Sequence, residues 1–302
     1  MVMNKGIPGA RSGGGKVKSI VYYLKDAIKF YDTENPWVAR ILFVVMLGII
    51  FGSYWLTSPF TQTFFENAKS FSTYMKENGV AAIGPSMLSV QPYLDMLRPL
   101  LMVMLILGGV QVLNYFIGMV YGTYYYSGLT HPETSLRERL MLFVSRLPKL
   151  IVFNILFYLA FGVAIGAYVI ITALLTMLFP LFAVLILMSS VLILIVSALF
   201  VFKDYLIIEF NPSLKLNLRK TLDITKNSKK NIIINVTWPI CIQWLLSGLI
   251  ADVGDAVLAM FIASFLEAVL QLIRQRLVVL MFMDAACMER KDIRHDPEEW
   301  SE

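Results

Sequence analysis

Residues 150–202, LIVFNILFYLAFGVAIGAYVIITALLTMLFPLFAVLILMSSVLILIVSALFVF, decide the fold class. This run of 53 residues contains no Asp, Glu, Lys or Arg. A transmembrane helix needs about 20 predominantly apolar residues, so the run is too long for a single crossing. Proline cannot continue a helical hydrogen-bond ladder and disfavours helix at the residue before it. The Phe179-Pro180 step is therefore the predicted break, and the run forms two spans joined as a tight helical hairpin.

Four more segments have the length and composition of membrane spans. The six predicted spans are residues 37–60, 99–126, 150–179, 180–202, 231–250 and 256–283. Hydrophobic residues make up 58% of the 302-residue chain and charged residues 16%, whereas soluble proteins average about half and about a quarter. The predicted fold class is thus all-α, a polytopic membrane protein with six transmembrane helices and interfacial amphipathic helices.

The distribution of basic residues predicts the orientation. Cytoplasmic segments near helix ends carry an excess of lysine and arginine, and 21 of the 26 basic residues lie in residues 1–40, 127–149, 203–230 and the tail after Met283. We therefore expect a multi-pass protein of the cell membrane with both termini cytoplasmic. The predicted domains are a cytoplasmic N-terminal segment with an interfacial amphipathic helix (1–36), a six-helix transmembrane domain (37–284) and a cytoplasmic tail (285–302).

Three segments outside the spans have the pattern of surface helices that brace the bundle. Residues 16–31 place apolar side chains at helical spacing with lysines on the other side. Residues 135–147 repeat this pattern behind a Ser135 and Glu138 capping box. On the outer side, Thr63 and Glu66 are the predicted caps of a third surface helix.

Glycines recur at four-residue spacing in three spans. The pairs are Gly48 and Gly52, Gly118 and Gly122, and Gly162 and Gly166. Glycine at this interval forms a groove in which two helix backbones approach closely. The pattern is compatible with a dimer interface and with packing inside the chain's own bundle.

The last predicted span carries polar residues where lipid disfavours them. Glu267, Gln271 and Arg274 share one face, and Gln275 lies beside it. One hypothesis is a polar path or ligand cavity lined by this face. The alternative is structural: Arg274 and its neighbour Arg276 extend toward the cytoplasmic interface while Glu267 joins a hydrogen-bond network. The polar residues of other spans that are available as partners are Gln111, Asn114, Asn154 and Gln243.

Motifs for catalysis and metal binding do not occur in the sequence. HExxH, Walker A and nucleophile-elbow patterns are absent, and His131 and His295 have no ligand partner at metal spacing. Cys241 and Cys287 are far apart and lie in or beside apolar runs, which is typical of small buried side chains. We predict no catalytic residue, no metal site and no cofactor.

Residues 202–238 resemble a cytoplasmic loop found in a broad bacterial group of membrane proteins. The resemblance is carried by residues 209–213 (EFNPS), 218–222 (LRKTL) and 225–231 (TKNSKKN), and more loosely by 281–284 (MFMD) followed by Arg290. The group includes the membrane domain that accompanies glycerophosphodiester phosphodiesterases and several uncharacterised integral membrane families. The resemblance implies a six-span fold with this loop in the cytoplasm and implies no chemistry.

These features favour a non-enzymatic bacterial membrane protein that assists transport or export, or that is a subunit of a membrane complex. One alternative is a self-contained channel or small-molecule transporter lined by the polar face of the last span. A second alternative is a lipid-modifying intramembrane enzyme, although catalysis normally needs converging acid, base or metal ligands. The predicted partners are the lipid bilayer and a second copy or partner membrane subunits, with no nucleic acid.

Overall fold

A computed structural model describes residues 15–78, 91–250 and 253–291. The predicted tail therefore lies largely outside the described residues, as does His295. Within these ranges the regular structure is helical throughout. The helices are α1 (Ile20–Ile28), α2 (Pro36–Asn78), α3 (Gln91–Thr130), α4 (Leu136–Leu178), α5 (Ala183–Leu199), α6 (Lys203–Phe210), α7 (Leu214–Thr225), α8 (Lys229–Ile250) and α9 (Ala256–Ala285). The all-α prediction is confirmed.

Five segments of the described residues are long and apolar enough to cross a membrane. They are Pro36–Thr73, Leu97–Thr130, Leu136–Met177, Val184–Phe210 and Ala256–Ala285. The fifth predicted span, residues 231–250, coincides with α8, which is helical throughout but is not one of the five segments. Asn231, Asn235 and Gln243 lower the hydropathy of that helix. Its membrane crossing stays a prediction.

The predicted break in the long apolar run is confirmed. Helix α4 ends at Leu178, a 3₁₀ turn occupies Pro180–Phe182, and α5 begins at Ala183. The two helices return alongside each other, and the Tyr168 hydroxyl of α4 donates a hydrogen bond of 2.8 Å to the Leu185 carbonyl of α5. Pro180 removes a backbone donor at the break, but Pro59, Pro99, Pro148 and Pro239 lie inside helices. The hairpin therefore also reflects the length of the apolar run, which exceeds a single crossing.

The surface-helix predictions were only partly correct. Helix α1 covers the middle of the predicted segment 16–31. The capping box at Ser135 and Glu138 is present, but the helix it opens continues through Pro148 as α4. The cap predicted at Thr63 was wrong, because α2 runs through this residue and its hydroxyl donates back to the Pro59 carbonyl at 2.9 Å. A hydroxyl that bonds one turn back does not end a helix.

The chain forms two compact units. The first unit comprises the residues up to Ala39, Met119–Leu245 and the residues from Leu270 onward, and the second unit comprises Arg40–Gly118 and Leu246–Val269. In the first unit, α6 is buried on all sides from Lys203 to Ile208, as expected for a helix inside a core. Phe282 of α9 packs in this core, with its ring centroid 5.7 Å from that of Tyr205.

In the second unit, α2 and α9 meet through aromatic pairs. Phe43 and Phe265 make an edge-to-face contact with ring centroids 5.5 Å apart, and Phe51 and Phe261 make another at 6.3 Å. This geometry is the one that aromatic quadrupoles favour. The two pairs place α9 against α2, and the Tyr54 hydroxyl of α2 also reaches Glu267 of α9.

Candidate functional site

The predicted polar face of the last span lies on α9 but is divided between the two units. Glu267 belongs to the second unit, whereas Gln271, Arg274 and Gln275 belong to the first. Seven residues separate Glu267 from Arg274, which is roughly 10 Å of helical rise. The two charges are therefore too far apart for an ion pair, and each has its own surroundings.

Glu267 is hydrogen-bonded through both carboxylate oxygens. The Tyr54 hydroxyl of α2 donates to Oε2 at 2.6 Å, and the Gln111 side-chain amide of α3 donates to Oε1 at 3.2 Å. Glu267 itself is half-buried. The sequence named Gln111 as an available partner but missed Tyr54, because the pairing of helices in space cannot be derived from the composition of each span.

Asn114 lies one turn along α3 from Gln111 and has an unusual environment. Its side chain is 1% exposed, and neither Nδ2 nor Oδ1 has a hydrogen-bond partner among the described residues. Residues three apart share a helix face, and the Cα–Cβ bond leans toward the helix N-terminus, which for Asn114 is the direction of Gln111. A buried amide without partners costs free energy, so this position calls for an explanation.

Gln275 has a structural contact in the first unit. The Tyr205 hydroxyl of α6 donates to Gln275 Oε1 at 3.1 Å. Gly122 of α3 makes room for that hydroxyl, because a Cβ atom at this position would collide with it. Gly122 thus allows the Tyr205 side chain of α6 to approach the α3 backbone closely. This contact differs from the predicted groove, in which two helix backbones approach each other.

Arg276, which the sequence did not single out as a site residue, makes the most extensive contacts of the two arginines. Its Nη1 donates to the carbonyls of Lys29 and Asp32, the latter at 2.8 Å. The guanidinium also lies 4.2 Å from the centroid of the Tyr125 ring, and the residue is only 6% exposed. Arg276 therefore holds the chain just after α1 instead of extending toward solvent.

Arg274 and Gln271 have no comparable contacts. Both side chains are half-buried, and in the described part of the chain neither makes a side-chain hydrogen bond or an ion pair. Arg276 thus holds the segment after α1, whereas Arg274, two residues earlier on the same helix, does not. This pair offers a matched comparison.

The segment before α1 is held by a second set of contacts in the first unit. Val17 N–H donates to Ser228 Oγ at 2.8 Å, and Asn231 and Asn235 of α8 donate to the carbonyls of Val17 and Lys18 at 2.8 and 3.0 Å. These bonds satisfy backbone groups that no helix of this segment pairs. The contacts from Ser228, Asn231, Asn235 and Arg276 together make an N-terminal clamp.

Tyr23 of α1 closes the N-terminal clamp from the other side. Its hydroxyl donates to Asp284 Oδ2 at 2.6 Å and accepts the Lys18 N–H at 3.0 Å. Burial, followed by the hydrogen bond to the carboxylate, raises the pKa of the Tyr23 phenol above its ordinary value. The phenol is thus kept in its neutral, donating form.

A buried ion pair occupies the start of α6. Lys203 Nζ lies 2.8 Å from Asp204 Oδ2 and donates to Asn154 Oδ1 at 2.6 Å. Asn154 Nδ2 in turn donates to Asp204 Oδ1 at 3.0 Å. Asn154, which the sequence offered as a partner for the polar face of α9, therefore joins this ion pair. A buried charge pair survives when its remaining groups are hydrogen-bonded, and here the asparagine meets that need.

Four of the six glycines face open space. A Cβ atom added at Gly48, Gly52, Gly162 or Gly166 would have no described atom within 4 Å. Packing inside the chain's own bundle, one of the two hypotheses for these pairs, therefore does not describe these four positions. Gly118 is buried.

Comparison with known proteins adds no relative. No family model, curated protein or solved structure matches the chain. The resemblance of residues 202–238 to the bacterial six-span group stays a prediction. Within the described residues, no group of three or more His, Cys, Asp or Glu side chains could hold a metal ion.

Proposed function

We propose that this chain is a non-enzymatic membrane protein that acts as a subunit of a membrane complex or assists transport or export. The observation that carries the proposal is the open surface around the paired glycines of α2 and α4. At both pairs the helix backbone is accessible to a second helix, which gains van der Waals contact there that lipid chains supply less well. A second copy of the chain, or a partner subunit, would fill this groove.

The internal polar contacts support the same proposal. Gln275 accepts a hydrogen bond from Tyr205, and Arg276 donates to two backbone carbonyls. These two polar residues of α9 therefore make structural contacts within the first unit. Groups that are committed to such bonds are poorly suited to lining a conduction path. This favours a protein that presents a rigid surface to partners.

The proposed orientation places six spans in the cell membrane with both termini in the cytoplasm. The burial pattern of helix α7 supports a position at the inner membrane surface. Polar side chains of this helix face the protein, and leucines face outward. Its buried residues include Asn217, Thr221 and Thr225, whereas Leu216, Leu218 and Leu222 are exposed by 36 to 42%. Exposed leucines beside lysines and arginine are typical of a helix that lies in the interface with its apolar side chains toward lipid.

A self-contained channel or small-molecule transporter is the second candidate. The half-buried Glu267 carboxylate and the unpartnered Asn114 amide favour it, since intramembrane ionisable groups commonly mark ion or substrate routes. No observation on the described residues favours the third alternative, a lipid-modifying enzyme.

Purification in native-lipid nanodiscs, followed by cross-linking and mass spectrometry, tests the proposal. The wild-type chain is expected to retain a second copy or a distinct membrane subunit. The double variant Gly48→Leu/Gly52→Leu is expected to lose it, because two leucines fill the groove. Gly108→Leu is the matched control, since Gly108 also faces open space but has no glycine four residues away.

A monodisperse single chain in native lipid, or a partner that survives the double variant, would contradict the proposal. A folded double variant is expected because the space beside both glycines is open. Thermal unfolding of both variants, measured beside the wild type, separates loss of partner from loss of fold.

A further inference from the structure

The Glu267 carboxylate lies in a long apolar helix and makes no ion pair among the described residues. The basic residues of the second unit lie on α2 and α3, and each is at least 13 residues from Tyr54 or Gln111 along its helix. That separation corresponds to roughly 20 Å. A half-buried negative charge in an apolar helix is expected to be compensated, and among the described residues of this unit no cationic side chain forms an ion pair with it.

The surrounding groups supply oxygen atoms. Tyr54 and Gln111 already contact the carboxylate. Asn114, three residues after Gln111 on α3, has a buried amide without a hydrogen-bond partner among the described residues, and residues at this spacing are neighbours on a helix surface. The two ends of a glutamine or asparagine amide exchange by a simple rotation. Each amide can therefore present its oxygen as readily as its nitrogen.

We propose that Glu267, Tyr54, Gln111 and Asn114 form an intramembrane binding site for a small monovalent metal cation, with Na⁺ as the matching ion. The ligand set consists of a carboxylate, a hydroxyl and two amides, and such oxygen donors suit hard cations. One carboxylate balances one positive charge, which favours a monovalent over a divalent ion. The cation would also satisfy the Asn114 oxygen, which explains why an amide without partners is kept in a buried position.

The site goes beyond the proposed role as a complex subunit and does not depend on it. A complex subunit with a bound cation and a cation-coupled transporter would both contain it. Its existence can be tested on the isolated full-length chain, whether or not a partner co-purifies.

Thermal unfolding of the full-length chain, followed by tryptophan fluorescence, is the first test. The midpoint is measured in NaCl, KCl and choline chloride at equal ionic strength and pH. Ligand binding to the native state raises the midpoint, and a saturable rise of about 2–4 °C is expected for NaCl over choline chloride. Binding of ²²Na⁺ to the same sample is expected to saturate near one ion per chain.

Three variants assign the effect to the site. Glu267→Gln removes the charge and is expected to abolish ²²Na⁺ binding. Asn114→Ala keeps the bonds from Tyr54 and Gln111 to the carboxylate and is expected to weaken binding about tenfold. Glu66→Gln makes the same chemical change at an exposed glutamate of α2, so it is expected to bind like the wild type.

The proposal is overturned by equal midpoints in NaCl and choline chloride together with no ²²Na⁺ binding, the result expected if Asn114 is bonded only to water. It is also overturned if Glu267→Gln and Asn114→Ala bind ²²Na⁺ as the wild type does. If Glu267→Gln does not fold, the Asn114→Ala affinity decides alone: wild-type affinity contradicts the site, and a tenfold loss supports it.

Discussion

Replacing Arg276 with methionine is expected to release the chain after α1 from α9. The change removes two hydrogen bonds from a charged donor to the carbonyls of Lys29 and Asp32, and it removes the contact with the Tyr125 ring. Hydrogen bonds to charged groups contribute about 1.5–3 kcal/mol each, and a desolvated cation–π contact contributes up to about 2 kcal/mol. Because both bonds share one nitrogen, we take about 3 kcal/mol for the whole set.

Amide hydrogen exchange measures this loss directly. A local opening free energy that falls by about 3 kcal/mol accelerates exchange of the amides around residues 29–35 by about 100-fold. The backbone bond from Asp32 N–H to the Lys29 carbonyl, 2.8 Å long, reports on this segment. Amides in the core of α6 are expected to exchange at the wild-type rate.

Arg274→Met is the matched control, because Arg274 lies on the same helix and makes no hydrogen bond among the described residues. Its exchange around residues 29–35 is expected to stay within about twofold of the wild-type rate. The reasoning is refuted if Arg276→Met leaves that exchange unchanged, or if Arg274→Met accelerates it equally.

Three further substitutions probe the first unit. Gly122→Ala is expected to displace the Tyr205 hydroxyl and lower the thermal midpoint by several degrees, measured by tryptophan fluorescence. Tyr23→Phe is expected to cost about 1–3 kcal/mol. Because the pKa of Tyr23 is raised in the folded state, the folded wild type binds the phenolic proton more tightly than the unfolded chain does. The wild type therefore loses stability as the pH rises above about 10. Tyr23→Phe is expected to lack this part of the loss. Lys203→Met is expected to cost about 3–5 kcal/mol in chemical unfolding, because it leaves the Asp204 carboxylate buried without its counter-ion.

Matched controls accompany these substitutions. Gly166→Ala faces open space and is expected to leave the midpoint unchanged or higher. Tyr22→Phe alters an exposed ring beside Tyr23 and is expected to keep the wild-type pH dependence. A double replacement of Lys203 by Met and Asp204 by Leu is expected to be less destabilised than Lys203→Met alone. Equal effects of control and test variants would contradict each assignment.

The sequence allowed the helical architecture to be predicted because its signals are local. The proline at position 180 and the capping box at Ser135 act on neighbouring backbone groups, and both appear at the predicted positions. The length of each apolar run likewise reports directly on one helix. Thr63 misled the prediction because a threonine can cap a helix or bond back within one, and the local sequence does not distinguish the two.

The candidate sites were harder to predict because their partners are distant in the chain. Arg276 bonds to residues 244 and 247 positions away, and the Glu267 partner Tyr54 is 213 positions away. Periodicity places Glu267, Gln271, Arg274 and Gln275 near one face of a helix, but it does not say which neighbouring helix each of them meets. That choice depends on packing of aromatic and small side chains across helices, and no local pattern encodes it.

The most direct test of the proposed membrane threading is labelling of single cysteines in intact cells with a membrane-impermeant maleimide. Cys241 and Cys287 are first replaced by serine, and one cysteine is then placed at Lys69, Lys220 or Lys226. The six-span threading predicts labelling at position 69 from outside, with positions 220 and 226 labelled only after the cells are permeabilised. Labelling of positions 220 and 226 in intact cells would contradict it, because the basic loop would then lie on the extracytoplasmic side.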